Sequence, residues 1–232
     1  MPEPGQEESQ PATHHTGEAL ARPELTRGVG GATSGGGGHA TTLPTAPATA
    51  TDAGGQSGLW DAGPMEALVE DLRHMTAAWD APPGRVVLGA LLRLPLYPRL
   101  AVVVRHRAAA WCWSRGLRVL ALWLQACSIR SAGAEIHPAA RIGPGLAIIH
   151  SVGIVVGHEV VAGRDLVLHQ GVTLGHTGTG PGQPRLGDGV RIGAGAVVLG
   201  PVTIGDGAWV AANATVLADV PAGAVATGTW RG

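Results

Sequence analysis

The stretch VRIGAGAVVLGPVTIGDGAWVAANATVLADVP, residues 190–221, decides the fold because an aliphatic residue returns in it at every sixth position. The residues on this phase are Ile192, Val198, Ile204, Val210 and Val216. The fifth residue of each hexad is small, namely Ala196, Val202, Ala208, Ala214 and Val220. A period of six matches neither a helix nor a simple strand, and short fixed repeats of this kind are typical of a parallel β-helix. We expect the aliphatic residue to point inward and the small residue to fit a tight corner, with three hexads in each coil.

The same period continues upstream, where seven aliphatic residues fall on one strict phase. They are Ile136, Ile142, Ile148, Ile154, Val160, Leu166 and Val172. The spacing from Val172 to Ile192 exceeds three hexads by two positions, so the phase slips between them. This slip coincides with GHTGTGPGQPR, residues 175–185, which has no apolar periodicity and is predicted to be a protruding loop. The β-helix domain is therefore predicted over residues 132–232, with residues three hexads apart stacked on one another.

Two different kinds of sequence precede the repeat. Residues 1–58 are rich in Gly, Pro, Thr and Ala and cannot bury enough apolar surface to offset their chain entropy, so a disordered tail is predicted. Residues 59–131 are predicted to be helical, because apolar residues recur in them at three- and four-residue spacing. The helical segments are PMEALVEDLRHMTAAW (64–79), RLAVVVRHRAAAWCWSRG (99–116) and LRVLALWLQACSIRS (117–131). The predicted fold class is α+β, with a short helical region followed by a parallel β-helix.

Composition excludes several kinds of partner. The formal net charge of the 232 residues is −1 and only 14% of them are charged, which gives no electrostatic footprint for nucleic acid or an anionic membrane surface. The two cysteines, Cys112 and Cys127, form neither a disulfide framework nor a CxxC metal site. The N-terminus lacks a secretory signal pattern, so a reducing cytoplasm is the expected location.

The most apolar segment, VVLGALLRLPLYPRLAVVV at residues 86–104, is long enough to suggest a membrane span. It contains Arg93 and Arg99 and is interrupted by Pro95 and Pro98. Each arginine would cost about 2.5–3.5 kcal/mol at the centre of a bilayer, so no membrane span is predicted.

Two motifs carry a family resemblance: EIHPAARIGPGLAIIHSVGIVVG at 135–157 and QGVTLGHTGTG at 170–180. With the hexads they resemble the serine acetyltransferase branch of the hexapeptide-repeat acyltransferases over roughly residues 133–225. The resemblance implies a left-handed β-helix and an acetyl-CoA-dependent serine O-acetyltransferase of the cysteine-biosynthesis type. It also implies a homotrimer or a dimer of trimers, a small hydroxyl acceptor, acetyl-CoA as co-substrate and no metal.

The resemblance assigns the chemistry to His150 and Glu135. In the family the histidine before the GIV motif is the general base, and the acidic residue two positions before the HP dipeptide is its partner. The chemistry is intelligible from the residues, because an imidazole with a pKa near 6.5 is well matched to deprotonating a hydroxyl that attacks a thioester. A carboxylate on the other ring nitrogen would fix the tautomer and stabilise the imidazolium.

The family's coenzyme lies along a groove between neighbouring subunits, against backbone and small side chains. The matching positions here are Gly175, Ala194 and Ala212. Small residues suit this role because an extended ligand must approach the backbone closely.

The sequence departs from the family around the acceptor. Ile149 stands where the family has an aspartate before the base. Gly182 and Gln183 replace an Arg-His pair that holds serine, while Arg185 and His176 are the remaining candidates for acceptor contacts. A site without these charges binds a zwitterionic amino acid less well, which leaves a sugar or secondary-metabolite hydroxyl as the alternative acceptor.

Two other function classes remain open on this fold. A trimeric β-helix that has lost turnover would act as a binding protein, and Ile149 and Gln183 favour that alternative. A zinc carbonic anhydrase would need three histidines as ligands. Its characteristic His-x4-His pair is missing, since the spacings of His150, His158, His169 and His176 are 8, 11 and 7.

Overall fold

The computed structural model describes residues 63–76, 81–178 and 180–232. The tail predicted over residues 1–58 lies outside the described residues. Four helices come first, and they are α1 (Pro64–Thr76), α2 (Pro83–Arg93), α3 (Pro98–Ser114) and α4 (Arg118–Ala132). The segments assigned from the sequence as helices cover α1 fully and α3 and α4 to within one residue. Helix α2 lies within residues 59–131, which were predicted to be helical, but no separate segment was assigned to it.

Helix α2 begins just before the apolar segment 86–104 and continues into it. In the sequence, the prolines of that segment were used only to exclude a membrane span, and no separate helix was assigned between residues 80 and 98. The structure resolves this region into two helices, each with a proline in its first turn, Pro83 for α2 and Pro98 for α3. In the described part of the chain, no single helix is long and apolar enough to cross a membrane. Helices α2 and α3 meet the length and composition limits only together, and they are bent by 120° at their junction.

The remaining chain winds into a parallel β-helix of about five coils with three flat sides. Side A contains β1 (Glu135–Ile136), β4 (Val155–Val156), β7 (Thr173–Gly175), β10 (Val197–Leu199), β13 (Thr215–Val216) and β15 (Thr229–Trp230). Side B contains β2 (Arg141–Ile142), β5 (Val161–Ala162), β8 (Arg185–Leu186) and β11 (Thr203–Ile204). Side C contains β3 (Ala147–Ile148), β6 (Val167–Leu168), β9 (Arg191–Ile192), β12 (Trp209–Val210) and β14 (Val225–Ala226). We name the edges where two sides meet A–B, B–C and C–A.

The hexad pattern builds the core as the sequence predicted. The second residue of most strands points inward and is buried, as at Ile192, Val198 and Ile204. The small fifth residues, such as Ala196 and Ala208, are fully buried at the corners. Burial of one large aliphatic side chain contributes about 1.5–3 kcal/mol, so the repeated layers account for much of the stability.

The prediction that every aliphatic residue from Ile136 to Val172 on the six-residue phase occupies the same inward position is wrong. Glu135 pairs with Val155, so the first coil is longer than three hexads by two positions. After Ile148 the next inward strand residue is Val156, while Ile154, Val160, Leu166 and Val172 fill the corner positions. Both sets are apolar and buried, which is why the sequence did not separate them.

The sequence pattern also placed the two-residue shift of the repeat in the wrong segment, the loop at residues 175–185. Thr173 pairs with Val197, so the third coil contains four hexads instead of three, and the loop supplies the extra one. Because the loop between β7 and β8 inserts one whole hexad, it leaves the phase of the six-residue repeat unchanged. The two-residue shift lies instead between β3 and β4, the segment that contains His150.

A buried ion pair joins the helices to the first coil. The carboxylate of Asp71 on α1 accepts hydrogen bonds from Arg107 Nε at 2.6 Å and from the backbone N–H groups of Gly145 and Leu146. Arg107 on α3 also donates to the carbonyl of Gly143 at 2.7 Å. Burial raises the pKa of Asp71, while its bonds from Arg107 oppose that shift.

Candidate active site

His150 leaves the repeat because it is one of two inserted residues. Backbone hydrogen bonds align Ile149 and Val152 with the consecutive positions 169–170 of the next coil. His150 and Ser151 therefore have no counterpart in that coil. Ser151 is buried, whereas His150 is exposed at edge C–A, and among the described residues it makes no hydrogen bond. The insertion adds an accessible imidazole to an edge whose apolar corner, Ile154, remains buried.

Glu135 lies near the same edge, one coil below. The N–H of Gly153 donates to the carbonyl of Gly133 at 2.8 Å, which ties the start of the first coil to the segment after His150. Glu135 lies two residues after Gly133. Its exposed carboxylate accepts a 3.3 Å hydrogen bond from Gln125 Nε2. The structure thus brings His150 and Glu135 to one edge, and within the described chain no hydrogen bond joins their side chains.

Small residues recur along edge C–A. Gly153, Gly171 and Gly195 stack on successive coils with positive φ angles of 78°, 70° and 69°. A Cβ atom on Gly153 would lie 3.3 Å from the Cα of Gly171, so side chains are excluded there. Ala194 and Ala212 occupy equivalent positions one coil apart on this edge. Gln170, whose side chain is exposed, occupies the position equivalent to Ala194 in the coil between Ala194 and His150. The small-residue track therefore covers the later coils, and Gln170 lies between it and His150.

Gly175 lies elsewhere. It is the last residue of β7 and pairs with Leu199, which places it at edge A–B. Of the three positions matched to coenzyme binding, two share an edge with His150 and the third lies on the opposite border of side A. One chain therefore does not bring the three together.

The protruding loop begins after Gly175 at edge A–B. Within it Gln183 is 5% exposed, and its Oε1 accepts the Glu159 N–H at 3.1 Å. A Cβ on Gly157 would lie only 2.1 Å from this oxygen, so the glycine makes room for the carboxamide. Gln183 thus holds the loop against the second coil. Arg185 is the first residue of β8 and points outward from side B, with an exposed side chain.

Beneath the loop is a cavity of about 410 Å³, lined by His158, Glu159, His176, Gln183 and the loop glycines. The sequence indicated His176 and Gln183 as acceptor contacts but missed His158 and Glu159. His158 and His176 are three hexads apart, so the rule that such residues stack could have paired them. In the described residues no three His, Cys, Asp or Glu side chains gather in a way that would hold a metal ion.

His158 also extends a row of rings along edge A–B. Its ring lies 5.7 Å from that of His137, which in turn lies 5.1 Å from the ring of Trp113. Burial, then the charges of His158 and Arg118, lower the pKa of His137.

Edges C–A and A–B of one chain are too far apart to contact one small molecule together. Four residues separate Gly153 at edge C–A from Gly157 at edge A–B, which spans about 13 Å of strand. No acceptor of the size of an amino acid touches both His150 and the loop cavity of the same chain.

Sequence comparisons place the repeat among bacterial transferases. The family model "Bacterial transferase hexapeptide (six repeats)" matches residues 184–218. A serine acetyltransferase of Synechococcus elongatus is 40% identical over 75 residues, which are 32% of this chain and 31% of that protein. A probable serine acetyltransferase 4 of Oryza sativa is 48% identical over 74 residues, 32% of this chain and 24% of that protein. The chain thus spans about a third or less of the length of these curated relatives.

Solved structures match over a longer range. The serine acetyltransferase of Neisseria gonorrhoeae in complex with serine has a TM-score of 0.62 at 32% identity, covering 72% of this chain and 67% of that one. A soybean serine acetyltransferase complexed with serine has a TM-score of 0.60 at 38% identity, covering 70% and 66%. A serine acetyltransferase in complex with CoA has a TM-score of 0.59 at 33% identity, covering 72% and 66%.

Proposed function

The chain belongs to the serine acetyltransferase branch of the hexapeptide-repeat acyltransferases, and from this premise we propose that it transfers the acetyl group of acetyl-CoA to a hydroxyl, with L-serine as the first candidate acceptor. The observation that carries the proposal is the position of His150. A two-residue insertion exposes this imidazole on the edge that carries the track of small residues. Relatives solved with serine and with CoA support the same pair of substrates.

In the proposed reaction His150 is the general base. Its ring accepts the proton of the acceptor hydroxyl as the oxygen attacks the carbonyl carbon of the acetyl thioester. The tetrahedral intermediate collapses with cleavage of the C–S bond, and the imidazolium returns the proton to the leaving sulfur. The products are the O-acetyl ester and free CoA, and His150 is again neutral.

Glu135 is proposed to support His150. Its carboxylate lies near the same edge and is held by Gln125 rather than by a cation. A carboxylate that accepts the second ring N–H would fix the tautomer and stabilise the imidazolium that forms in the reaction. The role needs a small movement of Glu135 or His150 when substrate binds, which is common in catalytic sites.

Acetyl-CoA is proposed to lie along the small-residue track of edge C–A. Ala194 and Ala212 leave the backbone accessible to the extended pantetheine arm, and the track lies on the same edge as His150. Gly175 is proposed to contact the same coenzyme from a neighbouring copy, since it lies on edge A–B. The structure holds no metal-ligating group in its described residues, and the proposed step uses none.

The separation of the two edges supports a trimer. If edge C–A of one copy meets edge A–B of the next, His150 of one subunit faces the loop cavity of its neighbour. Side A then faces the three-fold axis. Its middle strands present uncharged outward residues, namely Val155, Thr173, Val197 and Thr215. Exposed apolar residues on α4, such as Val119 and Trp123, would suit a further contact between two trimers.

A specific observation keeps a second acceptor class open. Gln183 is committed to holding the loop, and Gly182 has no side chain, so these two positions offer no charge to an amino acid. A sugar or another uncharged hydroxyl compound would bind without such charges.

The two described cysteines are free thiols, which supports a cytoplasmic location.

The test is thiol release from acetyl-CoA by the purified full chain. L-Serine, L-homoserine and a panel of sugars would be compared with a reaction without acceptor. Acceptor-dependent release with L-serine supports the proposal, and release only with another hydroxyl keeps acetyl transfer but reassigns the acceptor. Absence of release with every acceptor would instead indicate a binding protein on the same fold.

A further inference from the structure

Helix α2 and the turn after it expose a cluster of large apolar side chains, which we name the leucine patch. Its members are 45–76% exposed, and they are Leu88, Leu91, Leu92, Leu96 and Tyr97. On α2 the three leucines share one face, because residues three and four positions apart are neighbours on a helix. The opposite face of α2 carries the buried Val86 and Ala90. A surface helix that is apolar on both faces indicates that its outward face has a partner of its own.

An apolar groove between α1 and α2 continues the leucine patch. Its volume is about 380 Å³, and it is lined mainly by Met65 and Val69 on α1 and by Val87, Leu88 and Leu91 on α2. The described residues that line it include no charged side chain. Since Leu88 and Leu91 belong to both, the patch and the groove form one apolar surface.

The same part of the chain carries an unbalanced positive charge. Between residues 81 and 134 the sequence contains eight arginines and no aspartate or glutamate. The arginines are Arg85, Arg93, Arg99, Arg105, Arg107, Arg115, Arg118 and Arg130. Among the described residues, only Arg107 of these eight forms an ion pair. The formal net charge of −1, from which no footprint for an anionic membrane was predicted, hides this local excess.

Two of these arginines lie beside the leucine patch itself. Arg85 and Arg93 are exposed at the two ends of α2, and Arg85 lies one helical turn before Leu88. Arg93 Nη1 donates to the backbone carbonyl of Gly89 at 3.3 Å, so a neutral group rather than a carboxylate accepts from it. The outward face of α2 thus combines apolar side chains with positive charge at both ends.

The neighbouring helix α1 does little to offset this charge. Its carboxylates Glu70 and Asp71 are paired with Arg164 and Arg107. Glu66 is the remaining acidic residue of α1. The apolar surface formed by α1 and α2 is therefore positively charged at its border.

We propose that the leucine patch attaches the protein to the surface of a membrane that contains anionic lipid. The leucines would enter the region between headgroups and acyl chains, and Arg85 and Arg93 would pair with lipid phosphates. Tyr97 suits the same boundary, because its ring is apolar and its hydroxyl is polar. Since no single described helix is long and apolar enough to cross a bilayer, the attachment is to its surface.

Charge favours lipid over a second copy of the chain. A two-fold contact through the patch would bring the arginines of both copies together, and like charges repel. Nucleic acid would satisfy the arginines but would leave the leucines exposed to water. An anionic lipid surface alone offers a partner to both kinds of side chain.

The leucine patch ends close to the segment that contains His150. Arg99, two residues after Tyr97, donates from Nη1 to the carbonyl of Ile149 at 3.3 Å. Membrane attachment would therefore hold this segment near the lipid surface. Lipid binding needs no turnover, so the inference stands or falls independently of the proposed acetyl transfer.

The test is sedimentation of the purified full chain with lipid vesicles. Vesicles of phosphatidylcholine and phosphatidylglycerol in equal parts are compared with vesicles of phosphatidylcholine alone. The variants are Leu92→Gln, Leu96→Gln, Arg85→Gln and Arg93→Gln. Val225→Gln and Arg191→Gln change exposed residues of the same two kinds on side C and are the matched controls.

The wild type should bind the mixed vesicles, and added salt should release it because salt screens the arginines. Each arginine variant should bind about fivefold more weakly, which corresponds to about 1 kcal/mol for a cation at an anionic surface. Each leucine variant should also bind at least about fivefold more weakly, because it no longer buries an apolar side chain. Both controls should bind as the wild type does.

A wild type that does not bind the mixed vesicles would overturn the inference. So would a loss confined to the arginine variants, which would indicate attraction by charge without insertion of the leucines. If Leu92→Gln or Leu96→Gln lowers the mass measured by light scattering without lipid, the patch is a contact between copies and the inference is wrong. Circular dichroism of each variant checks that the fold is intact before these comparisons.

Discussion

At the scale of single residues, the structure explains why a histidine interrupts an apolar repeat. At edge C–A the inward corner position of each regular coil holds a buried apolar residue, such as Val172 or Ala196. The insertion of His150 and Ser151 adds a position outside this pattern, and the buried Ser151 anchors it while His150 faces solvent. The exposed imidazole contributes no packing to the described fold, so its presence is best explained by chemistry.

His150→Ala should therefore lower kcat for acetyl transfer by at least about a hundredfold, because general-base catalysis contributes about that much or more. Thiol release under saturating acetyl-CoA measures the effect. The melting temperature should stay close to that of the wild type, since His150 is exposed and makes no hydrogen bond in the described structure. Turnover within threefold of the wild type would remove His150 from this role.

His106 shows the opposite situation, a histidine whose environment disfavours its charge. The side chain is 4% exposed, and neither ring nitrogen has a hydrogen-bond partner in the described structure. Burial, then the charges of Arg107 and His137, lower its pKa to about 3. The unfolded chain binds this proton near pH 6.5, so the free energy of unfolding falls as pH decreases from about 6.5 to about 3.

Replacing His106 by Leu should remove this dependence. Urea unfolding at pH 7 and pH 5 measures it in both proteins, and the other titrating groups cancel in the comparison. Between these pH values the wild type should lose about 2 kcal/mol more than the variant, because each pH unit below the unfolded pKa is worth about 1.4 kcal/mol. Equal losses in the two proteins would show that His106 titrates normally.

At the scale of elements, α1 is fastened to the first two coils by charge rather than by apolar area alone. Asp71 and Arg107 form the buried part of this contact, and Glu70 pairs with Arg164 at its border. The Asp71 carboxylate also caps the N–H groups at edge B–C, where the first coil turns from side B to side C. The helices therefore close the open end of the β-helix near the coil that carries His150.

Asp71→Asn should cost about 3–5 kcal/mol in the free energy of unfolding, because it leaves the Arg107 guanidinium buried without a counter-charge. Urea unfolding at pH 7 measures the cost. Glu66→Gln, an exposed acidic residue on the same helix, is the matched control and should change stability by less than about 0.5 kcal/mol. A cost for Asp71→Asn no larger than that of the control would show that the ion pair is dispensable.

At the scale of the whole molecule, the candidate site is divided between two edges of one β-helix. His150 and the proposed coenzyme track occupy edge C–A, and the loop cavity occupies edge A–B. Side A separates them by about 13 Å, so the proposed reaction would need a neighbouring copy. Assembly and activity should therefore be lost together.

Three valines test which side of the β-helix forms the proposed trimer. Val197, Val161 and Val167 point outward from sides A, B and C, and each is half-buried. Val197→Arg should reduce the mass measured by light scattering from three chains to one and abolish transfer. Val161→Arg and Val167→Arg should leave the mass and the activity near those of the wild type. A monomeric wild-type chain, or loss of assembly through side B instead, would contradict the proposed arrangement.

The sequence by itself determined the class of fold and the residue that carries the proposed chemistry. The spacing of Ile192, Val198 and Ile204 predicts coils of three hexads each, because a three-sided β-helix buries an aliphatic residue every six positions. His150 was identifiable within its motif. The helical region was predictable as well, but the bounds of α2 were not, because the prolines near it were attributed to a broken apolar run.

Only the tertiary structure decided the register. Inward residues such as Val156 and corner residues such as Ile154 are both apolar, so the sequence pattern fits either phase. The hydrogen bonds between coils choose one, and they place the two extra residues at His150 rather than in the loop. The same register stacks His158 on His176 and divides the site between two edges. Stacking depends on how long each coil is, and that length is set by pairing with the next coil rather than by the residues themselves.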